Sequence, residues 1–332
     1  DIPDRSDTVI LVTGGAGFIG SNFINHLVEN TQKLKVINLD ALYYCASTTN
    51  VSQKVRSSGR YIFVHGNLQS FDLLRHMFQT HKITHVVHFA AQSHVQSSFD
   101  DSLTYTMDNI VGTHNLLEAT RIHCNTLVKF VHVSTDEVYG EKLNGTCYEN
   151  QLVNPTNPYS ASKAAAEILI NSYKYTYKKE IIIVRANNIY GIRQYPEKLI
   201  STSIVNIIKN KPIPIHGNGK NIRFYLSAED FANALVLLVK KKDKGTFNIG
   251  SNFYERNINI ANHICKFFNK NPKKFIKFTK DRLYNDKRYS VSSKKIRKLG
   301  WMPKRNLIKD LPVIIEWYKK NYKIFKKYEK KI

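Results

Sequence analysis

The chain has 332 residues, of which 42% are hydrophobic, so it can bury a full core and has room for two domains. No apolar run is long enough to cross a bilayer, and the first residues lack the basic and apolar regions of a signal peptide, which predicts a cytoplasmic protein without a membrane partner. Its 50 Lys and Arg exceed its 26 Asp and Glu, as in many nucleic-acid-binding proteins, but no zinc-finger, RRM or KH signature accompanies this charge. The four cysteines form no CxxC pair. We therefore expect no nucleic-acid partner, no disulfide framework and no metal.

Strand-like apolar runs alternate with amphipathic helical runs through the first half of the chain, as in a doubly wound α/β fold with a parallel sheet. The predicted strands are Thr8–Thr13, Lys35–Leu39, Tyr61–His65, His85–Phe89, Lys129–Val133, Ile181–Arg185 and Gly245–Gly250. The predicted helices are Phe18–Glu29, Ser70–His81, Leu103–His123 and Tyr159–Lys178. After Asn188 prolines and glycines interrupt this alternation, and from Ile258 the chain is helical and basic.

A glycine-rich segment, 13–20, joins the first predicted strand to the first predicted helix. Its glycines permit a tight turn, close approach of a pyrophosphate and close helix–sheet packing, while the helix N-terminus offers free N–H groups to phosphate. Asp40 ends the second strand, where a carboxylate binds a ribose 2′-OH and repels a 2′-phosphate. The segment therefore predicts a Rossmann-like sheet that binds NAD through Gly14, Gly17, Phe18, Ile19 and Gly20.

Tyr159 and Lys163 stand four positions apart at the start of a predicted helix, so both can face one ligand. A free tyrosine has a pKa of about 10 and is a poor base at neutral pH. The lysine ammonium and a positively charged nicotinamide would favour the phenolate and lower that pKa. We therefore expect Tyr159 to act as a base and Lys163 to assist it.

The segment 133–140, Val-Ser-Thr-Asp-Glu-Val-Tyr-Gly, lies at the carboxyl end of a parallel strand, where α/β sheets bind ligands. Asp136 and Glu137 could simply cap the next turn. Alternatively they present one acid and one base to different atoms of a sugar. Elimination of water needs both, because one group takes a C–H proton and the other protonates the departing hydroxyl.

Together these three motifs resemble the extended short-chain dehydrogenase/reductases, and the segment Ser-Thr-Asp-Glu-Val-Tyr-Gly resembles the sugar-nucleotide 4,6-dehydratases among them. The similarity extends through His88–Val95, Asn109–His114, Tyr195–Ile200, Pro214–Gly219 and Asn285–Tyr289. Segments such as Tyr44-Cys45 and 214–219 resemble eukaryotic UDP-glucose enzymes more than bacterial dTDP-glucose enzymes.

The resemblance implies a role for each matching residue. Tyr159, assisted by Thr135, takes the proton of the sugar 4-OH while hydride leaves C4 for NAD. Glu137 then removes the C5 proton, and Asp136 protonates the 6-OH so that water departs. Lys163 also holds the nicotinamide ribose.

The resemblance further implies which residues contact the ligands. Besides the motif residues above, the cofactor contacts are Asp40, Asn67, Leu68, Ala90 and Ala91. The substrate contacts are Ser93, Thr135, Asn188, Lys198, Leu199, Arg223, Asn248 and Arg288, of which Asn188, Arg223 and Arg288 bind the diphosphate. Asn67 stands where the family usually has Asp, and Gln96 replaces an Asp near the sugar pocket.

We expect an α/β fold of two lobes. Residues 1–187 and 226–250 form the NAD-binding lobe, and residues 188–225 and 251–332 form a smaller C-terminal α/β lobe for UDP-glucose or dTDP-glucose. The resemblance implies a homodimer joined by a four-helix bundle of helices 103–123 and 159–178, with apolar residues such as Ile110, Leu116, Leu117, Ile168 and Leu169. The alternatives are a UDP-sugar 4-epimerase or decarboxylase, or a non-catalytic NAD-binding or nucleic-acid-binding protein.

Overall fold

A computed structural model describes residues 4–89 and 91–325. Its main lobe is built on a seven-stranded parallel sheet with the order β10-β6-β5-β4-β1-β2-β3. These strands are β1 (Val9–Thr13), β2 (Lys35–Asp40), β3 (Tyr61–His65), β4 (His85–His88), β5 (Lys129–Thr135), β6 (Ile181–Ala186) and β10 (Gly245–Ile249). The central strands are buried along their whole length because helices cover both faces of the sheet, which is typical of parallel sheets.

Helices cover both faces of this sheet and create two apolar cores. One face packs on α1 (Phe18–Glu29) and α9 (Ala228–Lys240), and the other on α3 (Phe71–Thr80), α6 (Gly112–His123) and α7 (Pro158–Tyr177). The shorter helices of this lobe are α2 (Gln53–Arg56), α4 (Val95–Asp100) and α5 (Ser102–Tyr105). The result confirms the predicted doubly wound α/β fold.

The smaller lobe has its own core, formed where three helices pack on two small sheets. Its strands are β7 (Asn188–Tyr190), β8 (Ile213–His216), β9 (Ile222–Ser227), β11 (Tyr254–Arg256) and β12 (Ile276–Thr279). Its helices are α8 (Leu199–Ile208), α10 (Asn257–Phe267), α11 (Pro272–Phe275), α12 (Lys294–Arg297) and α13 (Leu307–Asn321). Ile296 and Trp301 nevertheless pack into the core of the main sheet, and the Trp301 indole donates to the Asp230 carbonyl at 2.9 Å. The C-terminal segment therefore contributes to both lobes.

The predicted helix 103–123 is interrupted. Residues 106–111 form a π-helical segment between α5 and α6. Asn109 lies in it, and its buried side chain accepts from the Gln92 backbone N–H at 2.8 Å and donates to Ser162 Oγ at 2.9 Å. Such single-turn π segments often occur at functional sites. None of the helices in the described ranges is long and apolar enough to cross a bilayer.

Candidate active site

A cavity of about 640 Å³ opens between the two lobes at the carboxyl ends of the parallel strands. This is where open α/β sheets bind their ligands. Both lobes contribute to its wall. The predicted residues that line it are Gly14, Gly17, Phe18, Ile19, Gly20, Asp40, Asn67, Leu68, Ala91, Ser93, Thr135, Glu137, Tyr159, Lys163, Asn188, Lys198, Leu199 and Arg223. Ala90 lies outside the described residues.

The glycine-rich turn has the geometry of a dinucleotide cradle. Gly14 adopts a positive φ of 77°, and a Cβ on Gly20 would lie 2.8 Å from the Gly15 Cα, closer than packing allows. Gly17 caps α1 without any side-chain hydrogen bond, so the first N–H groups of that helix are available to a ligand. Asp40 accepts from the Ala16 and Leu42 backbone N–H groups at 2.9 and 2.8 Å, which fixes its carboxylate at the end of β2.

Tyr159 and Lys163 are both buried near the start of α7. Asn157 caps this helix by accepting from the Ser160 N–H at 2.9 Å, and Pro158 occupies its first turn. Lys163 Nζ donates to the Val133 carbonyl at 2.8 Å, and burial lowers the pKa of Lys163 to about 8.

The pKa of Tyr159 departs from the sequence-based expectation. Burial raises it above the usual value for a tyrosine, and the negative charges of Glu137 and Asp136 raise it further, while a hydrogen bond with Thr135 lowers it. The groups of the protein alone therefore do not produce the low pKa that was expected. A positively charged ligand beside the ring is the remaining source of that lowering.

The acidic pair follows β5 in a 3-10 turn, Asp136–Tyr139, whose first N–H groups are capped by Thr135: its Oγ1 accepts from the Glu137 N–H at 3.2 Å. Glu137 lines the cavity, whereas Asp136 is only 3% exposed and lies behind the wall. Its Oδ2 accepts from Asn187 Nδ2 at 3.2 Å. Burial, followed by the charge of Glu137, raises the pKa of Asp136 to about 7, so this carboxyl can hold a proton near neutral pH.

Two predicted substrate contacts, Asn248 and Arg288, lie away from the cavity, because each side chain forms hydrogen bonds with other parts of the protein. Asn248 on β10 is fully buried: its Oδ1 accepts from the Tyr139 hydroxyl at 2.7 Å. The Arg288 guanidinium donates to the Lys142 and Gly145 carbonyls at 3.0 and 2.8 Å. These two residues therefore stabilise the surrounding loops in the described structure rather than the cavity wall.

Arg282 and Asn285 line the cavity beside Arg223, and the sequence analysis assigned neither of them to the site. Asn285 Oδ1 accepts from Arg223 Nη2 at 3.3 Å. The Nε of Arg282 is buried and has no hydrogen-bond partner among the described residues. A single functional arginine is hard to distinguish among 50 basic residues, although Arg282 stands just before the recognised segment 285–289.

Residues 41–47, here called the strap, cross from the main lobe to the smaller lobe. The Tyr43 hydroxyl donates to Asp108 Oδ1 at 2.9 Å, and the Tyr44 hydroxyl donates to Glu197 Oε2 at 2.5 Å. Asn67 Nδ2 donates to the Tyr43 hydroxyl at 3.0 Å, so the amide that replaces the usual Asp holds the strap on the main lobe. The described residues contain no group of three His, Cys, Asp or Glu side chains that could hold a metal ion.

A Rossmann-like sheet, a glycine cradle and a Tyr–Lys pair on α7 beside the carboxyl end of β5 together define an extended short-chain dehydrogenase/reductase. More specifically, the chain belongs to the GDP-mannose 4,6-dehydratase family, whose model matches residues 11–311.

The chain is similar to several characterised proteins. It is 42% identical to the Arabidopsis thaliana trifunctional UDP-glucose 4,6-dehydratase/UDP-4-keto-6-deoxy-D-glucose 3,5-epimerase/UDP-4-keto-L-rhamnose-reductase RHM2, over 94% of this chain and 47% of that protein. It thus spans about half the length of this plant relative. It is 39% identical to human dTDP-D-glucose 4,6-dehydratase, over 97% of this chain and 93% of that protein. The structure of DesIV, a Streptomyces venezuelae dTDP-glucose 4,6-dehydratase with NAD bound, superposes with a TM-score of 0.92 at 31% identity and covers 97% and 100% of the two chains.

Proposed function

We propose that the protein is an NAD-dependent dehydratase that converts UDP-glucose, dTDP-glucose or both to the 4-keto-6-deoxy sugar nucleotide. The observation that supports this most is the meeting of two sets of groups at one cavity. Tyr159 and Lys163 reach it from α7, and Thr135 and Glu137 reach it from the end of β5, with Asp136 directly behind. One set suits oxidation of an alcohol, and the other suits loss of water.

The cavity fits NAD. Its glycine turn has room for a pyrophosphate, the helix N-terminus of α1 is uncapped, and Asp40 stands where a ribose 2′-OH would bind. When bound, NAD would accept hydride from C4 of the sugar and return it to C6, and the proton that Glu137 takes from C5 would then return to C5. The same positive ring would offset the burial and the carboxylate charges that raise the pKa of Tyr159.

In the first step Tyr159 takes the proton of the 4-OH, with Thr135 hydrogen-bonded to it. The ketone that forms at C4 acidifies the C5 proton. Glu137, on the cavity wall, takes that proton. Asp136, whose pKa of about 7 leaves a large protonated fraction near neutral pH, would turn from Asn187 toward the cavity and give its proton to the 6-OH, so that water leaves.

The substrate is an anion, and the protein is suited to attract it. A net charge of +24 steers anions, while Arg223 and Arg282 place two guanidinium groups at the cavity. We assign the diphosphate to these arginines and Asn188, and the base to Lys198 and Leu199. The Lys198 ammonium donates to the Ser93 carbonyl at 2.6 Å. Uracil and thymine differ by one methyl group, worth only about 1 kcal/mol of binding free energy, so both nucleotide sugars are proposed as substrates.

A cytoplasmic location stays a prediction.

The decisive experiment is incubation of the purified protein with UDP-glucose and dTDP-glucose, followed by identification of the product. We expect a 4-keto-6-deoxy sugar nucleotide, retained NAD and no net NADH. The Asp136→Asn/Glu137→Gln double variant serves as the control, since it keeps Tyr159 and Lys163. A C4 epimer or a decarboxylated product would instead identify one of the related activities. No turnover together with a salt-sensitive shift of DNA would indicate a binding protein.

We also propose a homodimer formed by the surface of α5, α6 and α7. Leu103, Met107 and Ile168 on this surface are 77%, 42% and 63% exposed, and a group of exposed apolar side chains on neighbouring segments indicates a protein contact surface. Leu116 and Leu117, in contrast, are buried in the sheet core and were wrongly included in the apolar surface. Ile110 and Leu169 are partly buried.

Sedimentation at micromolar concentration tests this dimer. Ile168→Glu should shift the protein to monomer, because it would bury a charge without an opposite partner at the centre of an apolar interface. Leu152→Glu is the matched control: Leu152 is 92% exposed in a loop outside these helices, and its replacement should leave the dimer intact. A monomeric parent protein would contradict the proposal.

A further inference from the structure

A buried ion pair lies behind the acidic turn. Glu167 is 2% exposed and Arg185 is 6% exposed, and Arg185 Nε and Nη2 both donate to Glu167 Oε1, at 2.9 and 2.6 Å. The other carboxylate oxygen of Glu167 accepts from Ser134 Oγ at 2.7 Å. The pair therefore holds the residue immediately before the Thr135–Glu137 triplet.

The same arginine also holds the far end of the triplet. Arg185 Nη1 donates to the Tyr139 hydroxyl at 2.8 Å, and its guanidinium lies over the Tyr139 ring at 4.7 Å from the centroid. The Tyr139 hydroxyl in turn donates to Asn248 Oδ1 at 2.7 Å on β10. The turn that carries Asp136 and Glu137 is thus fixed on both sides, from β6 and from α7.

The helix that supplies Glu167 is the one that supplies the oxidation pair. Glu167 follows Lys163 by four residues, one helical turn further along α7. A shift of Glu167 or Arg185 would therefore move the acid and base relative to Tyr159 and Lys163. The network connects two groups of residues that would act on adjacent carbon atoms of one sugar.

Stability alone does not account for such a network. A buried ion pair contributes little net stability compared with apolar residues of the same volume, since the cost of removing two charges from water offsets their attraction. Functional groups, in contrast, need a supporting layer that holds them to about 0.5 Å. The network therefore matches a need of the reaction better than a need of the core.

We infer that Glu167, Arg185 and Tyr139 are positioning residues that hold Asp136 and Glu137 in register with Tyr159 for the loss of water. This inference rests on the proposed dehydratase function. None of the three lines the cavity, so each acts through the turn rather than on the sugar. Loosening the network should slow elimination while oxidation at C4 proceeds, because Tyr159 and Lys163 keep their own contacts on α7 and β5.

The test uses Tyr139→Phe and Arg185→Lys in the full chain with bound NAD. Tyr139→Phe removes one hydroxyl, and we expect product formation to fall about tenfold. Arg185→Lys loses the forked contact, and a displacement of about 1 Å can cost about 10²-fold. In both variants KM should change little, and bound NADH should accumulate on mixing with the nucleotide sugar, as seen by its near-ultraviolet absorbance.

Tyr190→Phe is the matched control. Tyr190 is equally buried, its hydroxyl donates to Asp310 Oδ2 at 2.8 Å, and neither residue lines the cavity. It should lose some stability without any accumulation of NADH. If Tyr139→Phe does not fold, Glu167→Gln removes the charge at the other end of the network and should give the same accumulation.

The outcomes separate the two proposals. A parent protein that converts neither nucleotide sugar overturns the proposed function and this inference with it. A parent protein that converts one of them, together with folded variants that lose product without accumulating NADH, overturns only the positioning role. In that case the network would merely set the fraction of folded protein. Accumulation of NADH in Tyr139→Phe and Arg185→Lys but not in Tyr190→Phe supports the positioning role.

Discussion

The raised pKa of Asp136 predicts the shape of the pH dependence of water loss. The carboxyl must be protonated to act as the acid, and its pKa is about 7. Elimination should therefore be constant below that pH and fall by about tenfold for each pH unit above it, reaching about 10²-fold at pH 9. Oxidation at C4 should change in the opposite direction, because Tyr159 must lose its proton and the pKa of Tyr159 is raised.

Rapid mixing with UDP-glucose between pH 6 and 9 measures both steps, since bound NADH reports oxidation and product analysis reports elimination. NADH should accumulate increasingly as the pH rises. Asp136→Asn should remove this alkaline limb and lower product formation by about 10²–10⁴-fold at every pH. A rate of elimination that stays constant to pH 9, or an Asp136→Asn variant with near-parental turnover, would refute the assignment of Asp136 as the acid.

Three further predictions concern single residues at or directly behind the cavity wall. Tyr159→Phe should retain NAD yet form no NADH with either nucleotide sugar, as absorbance will show. Asp136→Asn should raise the Tm at pH 8: the ionised carboxyl is disfavoured in the folded state by about three pKa units, or at most about 4 kcal/mol, and this gain should shrink toward pH 4. Gly20→Ala should lower the Tm, because its Cβ would press on Gly15. In Gly17→Ala the new Cβ has only an ordinary contact at 3.5 Å, so the Tm should stay the same, but the protein should lose NAD on gel filtration.

The parallel sheet could be predicted closely because its signals are local. Helix Phe18–Glu29 and strand Tyr61–His65 have the predicted bounds, since apolar runs, glycine turns and caps all lie within a few residues of one another. The small sheets of the second lobe could not be predicted. β9 pairs with β7 in parallel and with β11 antiparallel, and only tertiary packing selects such partners for strands this short.

The site shows the same division. Motif spacing predicted that Tyr159, Lys163 and Glu137 face one ligand, and all three line the same cavity. It could not show that Asp136 lies behind the wall, nor that two carboxylates raise the pKa of the tyrosine, because both depend on distances between side chains. The π-helical segment at 106–111 also depends on a distant partner, since Asn109 reaches Ser162 on α7.

The order of strands in the main sheet has a consequence for synthesis of the chain on the ribosome. β6 ends at Ala186, but its outer neighbour β10 begins only at Gly245, after β7, α8, β8 and β9 of the smaller lobe and α9 have been made. Until then the apolar edge of β6 has no partner, and such an edge invites pairing with other chains. Trp301 completes the core later still. The seven-stranded sheet can therefore reach its full strand pairing only after Gly245–Ile249 has been translated.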